Sequence, residues 1–270
     1  MAPPTPEDIV RRATAAFNAG RREEARTLCE EGLVGTPDEP MMSHLLAAVF
    51  AASGEIEAAR RHVETSLAKR PDNASARLLA ARLARTAGDF DRALSHLDRA
   101  IALAPQRDAF IEKARTLDQA GLRPQARQAW RAILEIIPDH AEAAARSGRL
   151  AWQDGEAEFA AKCLERAAQK EATPQVWFDL GLVRQDLRDH AGAASAYRKA
   201  IELKGDQVEA AFNLGVVLQE SGDLDGAMRA YAQAYRLRPE SFGNIAMALT
   251  SGSHGRLWLD EAGLRRALEG

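Results

Sequence analysis

The side chains able to make or break bonds are few and scattered. Six histidines (His44, His62, His96, His140, His190 and His254) form no His-Glu-x-x-His pair and join no Cys-x-x-Cys, the spacings that would place ligands around zinc. Two cysteines, Cys29 and Cys163, are too few for a disulfide framework. Cys29 occupies an apolar helix position, where a buried inert thiol is expected rather than a nucleophile, and Cys163 lies one position off that column. Ser253 and His254 are adjacent, but a catalytic pair needs a hydrogen bond set by the fold and an acid to orient the ring. No Gly-x-x-x-x-Gly-Lys-Ser/Thr loop is present to cradle phosphate, and no two carboxylates stand apart for acid–base work. Asn73-Ala74-Ser75 matches a glycosylation acceptor, which is discounted because no secretory leader is read in the opening residues. These observations point to a chain that binds rather than catalyses and that takes no metal or cofactor.

Composition points the same way. The 270 residues carry 36 Lys+Arg against 39 Asp+Glu, a net charge of −3, which gives no global attraction to nucleic acid or to an anionic membrane. With 46% apolar and 28% charged residues the chain is expected to build a packed core, and 6% aromatics leave that core to Ala and Leu. No run approaches 18 consecutive apolar residues, so no membrane span is expected, and the cytoplasm is the default compartment.

What positions the side chains is a repeat. Sliding the segment that begins at Val208 back along the chain finds units beginning at Pro6, Pro40, Ala74, Arg107, Ala141 and Pro174, spaced by 33 or 34 residues. The units are 6–39, 40–73, 74–106, 107–140, 141–173, 174–207 and 208–241, with residues 1–5 before them and 242–270 after. Position 20 of every unit is Ala: Ala25, Ala59, Ala93, Ala126, Ala160, Ala193 and Ala227. Position 8 is always small: Ala13, Ala47, Ala81, Ala114, Gly148, Gly181 and Gly215. Small residues at both places let two helices approach closely. Position 15 is Gly in every unit but the sixth, which has Arg188; a glycine there can take the left-handed conformation that ends a helix. Position 24 supplies a larger plug, from Cys29 and Val63 to Tyr197 and Tyr231, and position 32 is often Pro, which stops the second helix.

This pattern resembles the tetratricopeptide repeat (TPR) family. Trp177-x-x-Leu180-Gly181 followed by Ala193-x-x-x-Tyr197 is close to the family signature, as is Leu214-Gly215 followed by Ala227-x-x-x-Tyr231 and Pro239. The resemblance implies an all-α solenoid of helix-turn-helix units in a right-handed superhelix. It also implies a concave face lined mainly by the first helix of each unit, at positions 2, 5, 9 and 12, that binds a partner peptide or helix. Chaperone-tail binding is not supported, because no unit has the Lys and Asn that some family members use for it.

Mapped onto this chain, those positions place Arg82, Arg115 and Arg149 in one column with Arg85 beside the first, and Trp152, Phe178, Gln185, Phe212 and Gln219 toward the C-terminal half. Two readings of the arginines stand. They form a cationic strip that grips carboxylates of an acidic partner segment, or they are solvated side chains that Asp108 and Asp118 neutralise internally. The aromatic residues likewise read as contact surface or as core. The function implied is a protein-interaction scaffold or adaptor. The alternatives are an accessory subunit of a separate enzyme, such as a glycosyl- or sulfotransferase, and an envelope or pilus assembly factor. An end unit also leaves stacking on a second copy open.

The segment 242–270 reads as one further first helix over 242–250, a turn over 251–255, and a short helix over 261–268 with Asp260 as its cap. Leu257, Trp258, Leu259 and Leu264 are expected to cover the end of the stack, the other reading being a free recognition segment.

Overall fold

The computed structural model describes residues 4–251 and 261–269, and every regular element in them is helical. In chain order these are α1 (Pro6–Asn18), α2 (Arg22–Gly35), α3 (Pro40–Ala52), α4 (Ile56–Lys69), α5 (Ala74–Thr86), α6 (Phe90–Leu103), α7 (Arg107–Gln119), α8 (Arg123–Ile136), α9 (Ala141–Gln153), α10 (Ala157–Lys170), α11 (Pro174–Asp186), α12 (His190–Leu203), α13 (Val208–Glu220) and α14 (Leu224–Leu237). A 3₁₀ turn, Pro239–Ser241, leads to α15 (Phe242–Ser251), and α16 (Glu261–Glu269) closes the described chain. First helices of 13 residues alternate with second helices of 14 from α1 to α14. The chain divides into two compact units, up to Ala129 and from Trp130.

The turn inside each pair has one form. In α1–α2, Gly20 sits at φ +76°, and the Arg21 N–H reaches back to the Ala16 carbonyl, satisfying an acceptor that the helix end would otherwise orphan. The same closure recurs in all seven pairs, with Gly54, Gly88, Gly121, Gly155 and Gly222 at positive φ. Arg188 is held in the same conformation, at φ +60°, although its Cβ crowds the backbone there. Second helices start on side-chain caps where Asp89, Asp189 and Asp223 accept from backbone N–H groups three residues on. Asn73 caps α5 in the same way, which gives the side chain of the Asn73-Ala74-Ser75 motif a structural task.

Packing follows from the small columns. Ala25, Ala59, Ala93, Ala126, Ala160, Ala193 and Ala227 are all fully enclosed, and so are the plugs at position 24. In the unit that ends at Ala129, α1 lies beside α3, α3 beside α5 and α5 beside α7, while each second helix also packs on the next first helix. Its core joins Leu46, Val63 and Leu83 with the alanines around them, and Leu78 with Leu97. In the unit from Trp130, the core runs from Leu164 and Leu180 to Tyr197, Tyr231 and Tyr235. The end of that core is covered. Ile245 and Leu249 of α15 and Leu264 and Leu268 of α16 are buried in the cluster that holds Tyr231, and the Arg265 guanidinium lies 3.8 Å from the Phe242 ring centroid. Leu257, Trp258, Leu259, the Asp260 cap and the Ser253–His254 pair lie outside the described residues.

This geometry makes two demands on stability. A Cβ built on Gly215 would lie 2.5 Å from ring carbons of the enclosed Tyr231, so the ring must shift. Overpacking costs about 1–3 kcal/mol and the helix preference of Ala over Gly returns about 1. Gly215→Ala is therefore expected to destabilise by about 1 kcal/mol, yet to stabilise by about 1 in a Tyr231→Leu background, where the room exists. Denaturant melts of the four variants measure the coupling, and simple additivity would refute the contact. Arg188→Gly is expected to raise stability by about 0.5 kcal/mol, because relief of the left-handed strain exceeds the entropy that glycine adds to the unfolded chain. A lower melting midpoint would contradict it.

Candidate functional site

Arginines at position 9 are what the repeat offers for chemistry, and for Arg82 and Arg149 the next first helix supplies the partner. On α5, Arg82 and Arg85 face α7, where Glu112 occupies position 6. The Glu112 side chain is 1% exposed, against 44% for Arg82, 20% for Arg85 and 39% for Arg115. Arg85 Nε donates to Glu112 Oε1 at 2.5 Å; Arg82 Nε and Arg115 Nη1 stand 3.4 and 3.6 Å from Oε2. Arg85 also donates to Gln119 Oε1 at 2.9 Å, and Arg82 reaches Asp108 at 3.8 Å. One enclosed carboxylate thus gathers three guanidinium groups, two of which keep a large part of their surface in solvent. A buried carboxylate is tolerable only with such charged donors around it.

The other unit repeats the motif once. Arg149 of α9 donates through Nε and Nη2 to Asp179 of α11, at 3.0 and 2.5 Å, and Gln175 donates to the second oxygen of Asp179. Trp152 Nε1 donates to Asp186 at 2.5 Å. The signal for these pairs is present in the sequence as a cation at position 9 with a carboxylate 30 residues later, Arg82 with Glu112 and Arg149 with Asp179. A similar spacing of 34 joins Arg85 with Gln119 and Trp152 with Asp186. The internal partner of the arginines is chiefly Glu112, with Asp108 contributing at its rim.

The remaining candidates are drawn inward. Phe178 packs over Tyr197, with ring centroids 5.9 Å apart, and Phe212 over Tyr231 at 5.8 Å. Gln185 accepts from the Tyr197 hydroxyl at 2.9 Å. Gln219 is expected at a binding surface but is only 2% exposed: its oxygen accepts from the Tyr231 hydroxyl and its nitrogen donates to the Ala248 carbonyl. The physical reason is the tyrosine plug. A phenol buried without a partner is costly, and a glutamine at position 12 of the same pair supplies one. Burial pushes both tyrosine hydroxyls well above the ordinary phenol range.

Burial shifts several of the reactive side chains. Burial pushes the Cys29 thiol up to about 11 and raises Cys163 as well. His44, His62 and His96 are shifted below the usual imidazole range, chiefly by burial. Among the described residues no group of three or more His, Cys, Asp and Glu could hold a metal ion, and no helix is long and apolar enough to cross a membrane. The arrangement can hold anions by charge-assisted hydrogen bonds.

Models of the family described as "Tetratricopeptide repeat" match residues 10–31, 50–116 and 178–242. No curated protein matches the chain. Among solved structures, the C-terminal part of a TPR repeat-containing protein from Cytophaga hutchinsonii is similar at 15% identity. It spans 89% of this chain and 99% of that one, with a TM-score of 0.71. Pseudomonas aeruginosa pilF is similar at 18% identity over 74% of this chain and 92% of its own, with a TM-score of 0.66. YrrB, described as a TPR protein with an unusual peptide-binding site, is similar at 15% identity over 67% of this chain and 95% of its own, with a TM-score of 0.58. At these identities the likeness is one of fold.

Removing the carboxylate tests the cluster. Glu112→Gln leaves three guanidinium groups facing one another and is expected to destabilise by about 2 kcal/mol, less than a fully buried pair because the arginines are part-exposed. Sodium sulfate should return more stability to this variant than to the wild type. Equal melting midpoints for the two proteins would show that Glu112 does not hold the cluster.

Proposed function

We propose, on the premise that this chain belongs to the tetratricopeptide repeat family, that it is a non-catalytic interaction scaffold whose first helices hold an acidic segment of a partner protein. One observation carries the reading: Arg82, Arg85 and Arg115 converge on the enclosed Glu112. Glu112 restrains the guanidinium groups before any partner arrives, so less side-chain entropy is lost on binding. The part-exposed guanidinium groups of Arg82 and Arg115 suit the carboxylates of Asp or Glu, which a planar fork can grip with two hydrogen bonds. The peptide-binding site described for YrrB, a protein of the same fold, supports a peptide as the class of ligand. Arg149, held by Asp179 and 35% exposed, offers a second, separate contact of the same kind.

Affinity capture from native extract, with the bound proteins identified by mass spectrometry, supplies the partner. Arg82→Gln with Arg115→Gln keeps Arg85 on Glu112 and is expected to weaken that partner's binding by about tenfold or more while helix content stays unchanged. Wild-type affinity should fall as salt rises. A partner bound equally well by the double variant would remove the arginine cluster from the function.

A further inference from the structure

An open-sided cavity of about 480 Å³ lies between α8 and α10, formed by second helices rather than by the first helices that carry the arginine cluster. Its volume falls in the range of small-molecule and side-chain pockets. Along α10, Phe159, Lys162, Cys163 and Arg166 follow the i, i+3, i+4, i+7 spacing that puts them on one face of a helix. Opposite them α8 contributes Arg131 and Leu134. Cys163 and Leu134 give the cavity an apolar part, and the Phe159 ring is 39% exposed although it is large and aromatic.

The charges around this apolar part are unevenly satisfied. Arg131 lies over the Phe159 ring at 4.8 Å and pairs with Glu156 at 2.5 Å, while its Nε is buried with no partner. Arg166 gives one N–H to the Pro138 carbonyl at 3.3 Å. Lys162 is exposed and makes no ion pair or hydrogen bond among the described residues. Arg131, Lys162 and Arg166 thus stand against Glu135 and Glu156, leaving an excess of cation beside an exposed aromatic face. Phe159 is also out of step with its column: position 19 elsewhere is Glu24, Ala58, Arg92, Gln125, Gly192 and Gly226, none of them aromatic.

We infer that the α8–α10 cavity is a second docking site, for an acidic peptide segment that carries an apolar anchor residue. The anchor fills the space against Phe159, Leu134 and Cys163, and carboxylates one turn apart meet Lys162 and Arg166. Charge complementarity selects this occupant. An uncharged apolar segment would leave Lys162 without a counter-ion, and a purely acidic one would leave the aromatic face in water.

The test uses the full chain and a fluorescein-labelled octapeptide, Asp-Glu-Glu-Leu-Phe-Asp-Glu-Asp, followed by fluorescence anisotropy. Binding is expected to fall by about tenfold or more in Lys162→Glu with Arg166→Glu, both exposed and neither in the core. It is expected to fall by about fivefold in Phe159→Ala and in a peptide with Gly-Gly in place of Leu-Phe. The same losses are expected when these changes are made in an Arg82→Gln, Arg115→Gln background, where the cluster on α5 and α7 no longer contributes, which separates the two sites. Circular dichroism confirms that each variant is folded. No binding by the wild type, or equal binding by the Lys162→Glu, Arg166→Glu variant, overturns the inference.

Discussion

Two helices can lie side by side only as closely as their facing side chains permit, and in this chain that distance is set by an alanine at position 20 and a small residue at position 8. Everything else in a pair is adjusted to the gap they leave. Where position 8 is Gly181 or Gly215, the missing Cβ makes room for a tyrosine ring, and Tyr197 and Tyr231 are fully enclosed. The buried phenol then needs an acceptor, which Gln185 and Gln219 provide. In these two pairs one methyl group fewer goes with a tyrosine plug, a buried hydroxyl and a glutamine bonded to it. The alternatives are a Cβ wedged into a ring or a cavity beside a small plug, and both cost stability in a close-packed interior.

The same constraint governs the charged residues. Within each compact unit first helices of successive pairs lie beside one another, and at Arg82 and Arg149 a residue at position 9 meets position 6 of the next repeat. A carboxylate there is enclosed by both helices and is stable only if cations reach it, as they do at Glu112 and Asp179. The reverse dependence also holds. An arginine left to itself on a solvated face samples many rotamers, whereas one held by a buried acid has its direction set in advance. The arginine cluster is thus part of the packing between α5 and α7 as much as it is a surface feature.

The fold was legible in the sequence because its determinants are columns: each acts within one unit, and repetition separates them from chance. Arg188 shows how strongly the frame dictates local geometry, since it adopts the left-handed turn without being glycine. The site was legible only in part. Position 9 can be counted off directly, but its acceptor lies 30 residues on in another unit, and finding it requires the register between units rather than within one. Gln219 is enclosed for a related reason: the Tyr231 hydroxyl at position 24 of its own pair donates to it, and the half-buried Gln185 meets Tyr197 in the same way. The apolar run Leu257-Trp258-Leu259 lies outside the described residues, whereas Leu264 joins the terminal core, where an end unit's apolar face needs cover.

A repeat that satisfies its own columns has nothing left over with which to recognise a partner. Recognition must come from positions where the period leaves the side chain free, or where a unit departs from its neighbours. Glu112 and Asp179 each put at position 6 a carboxylate that its surroundings answer with arginine. Phe159 departs at position 19, where it puts a ring in reach of water and draws Arg131 over it. These departures cost stability locally, through desolvated charge or exposed apolar surface. A chain whose units each contribute their own share to the total can bear such costs in one unit without unfolding the rest. Divergence from the shared columns is thus where this chain carries side chains that its own packing does not call for.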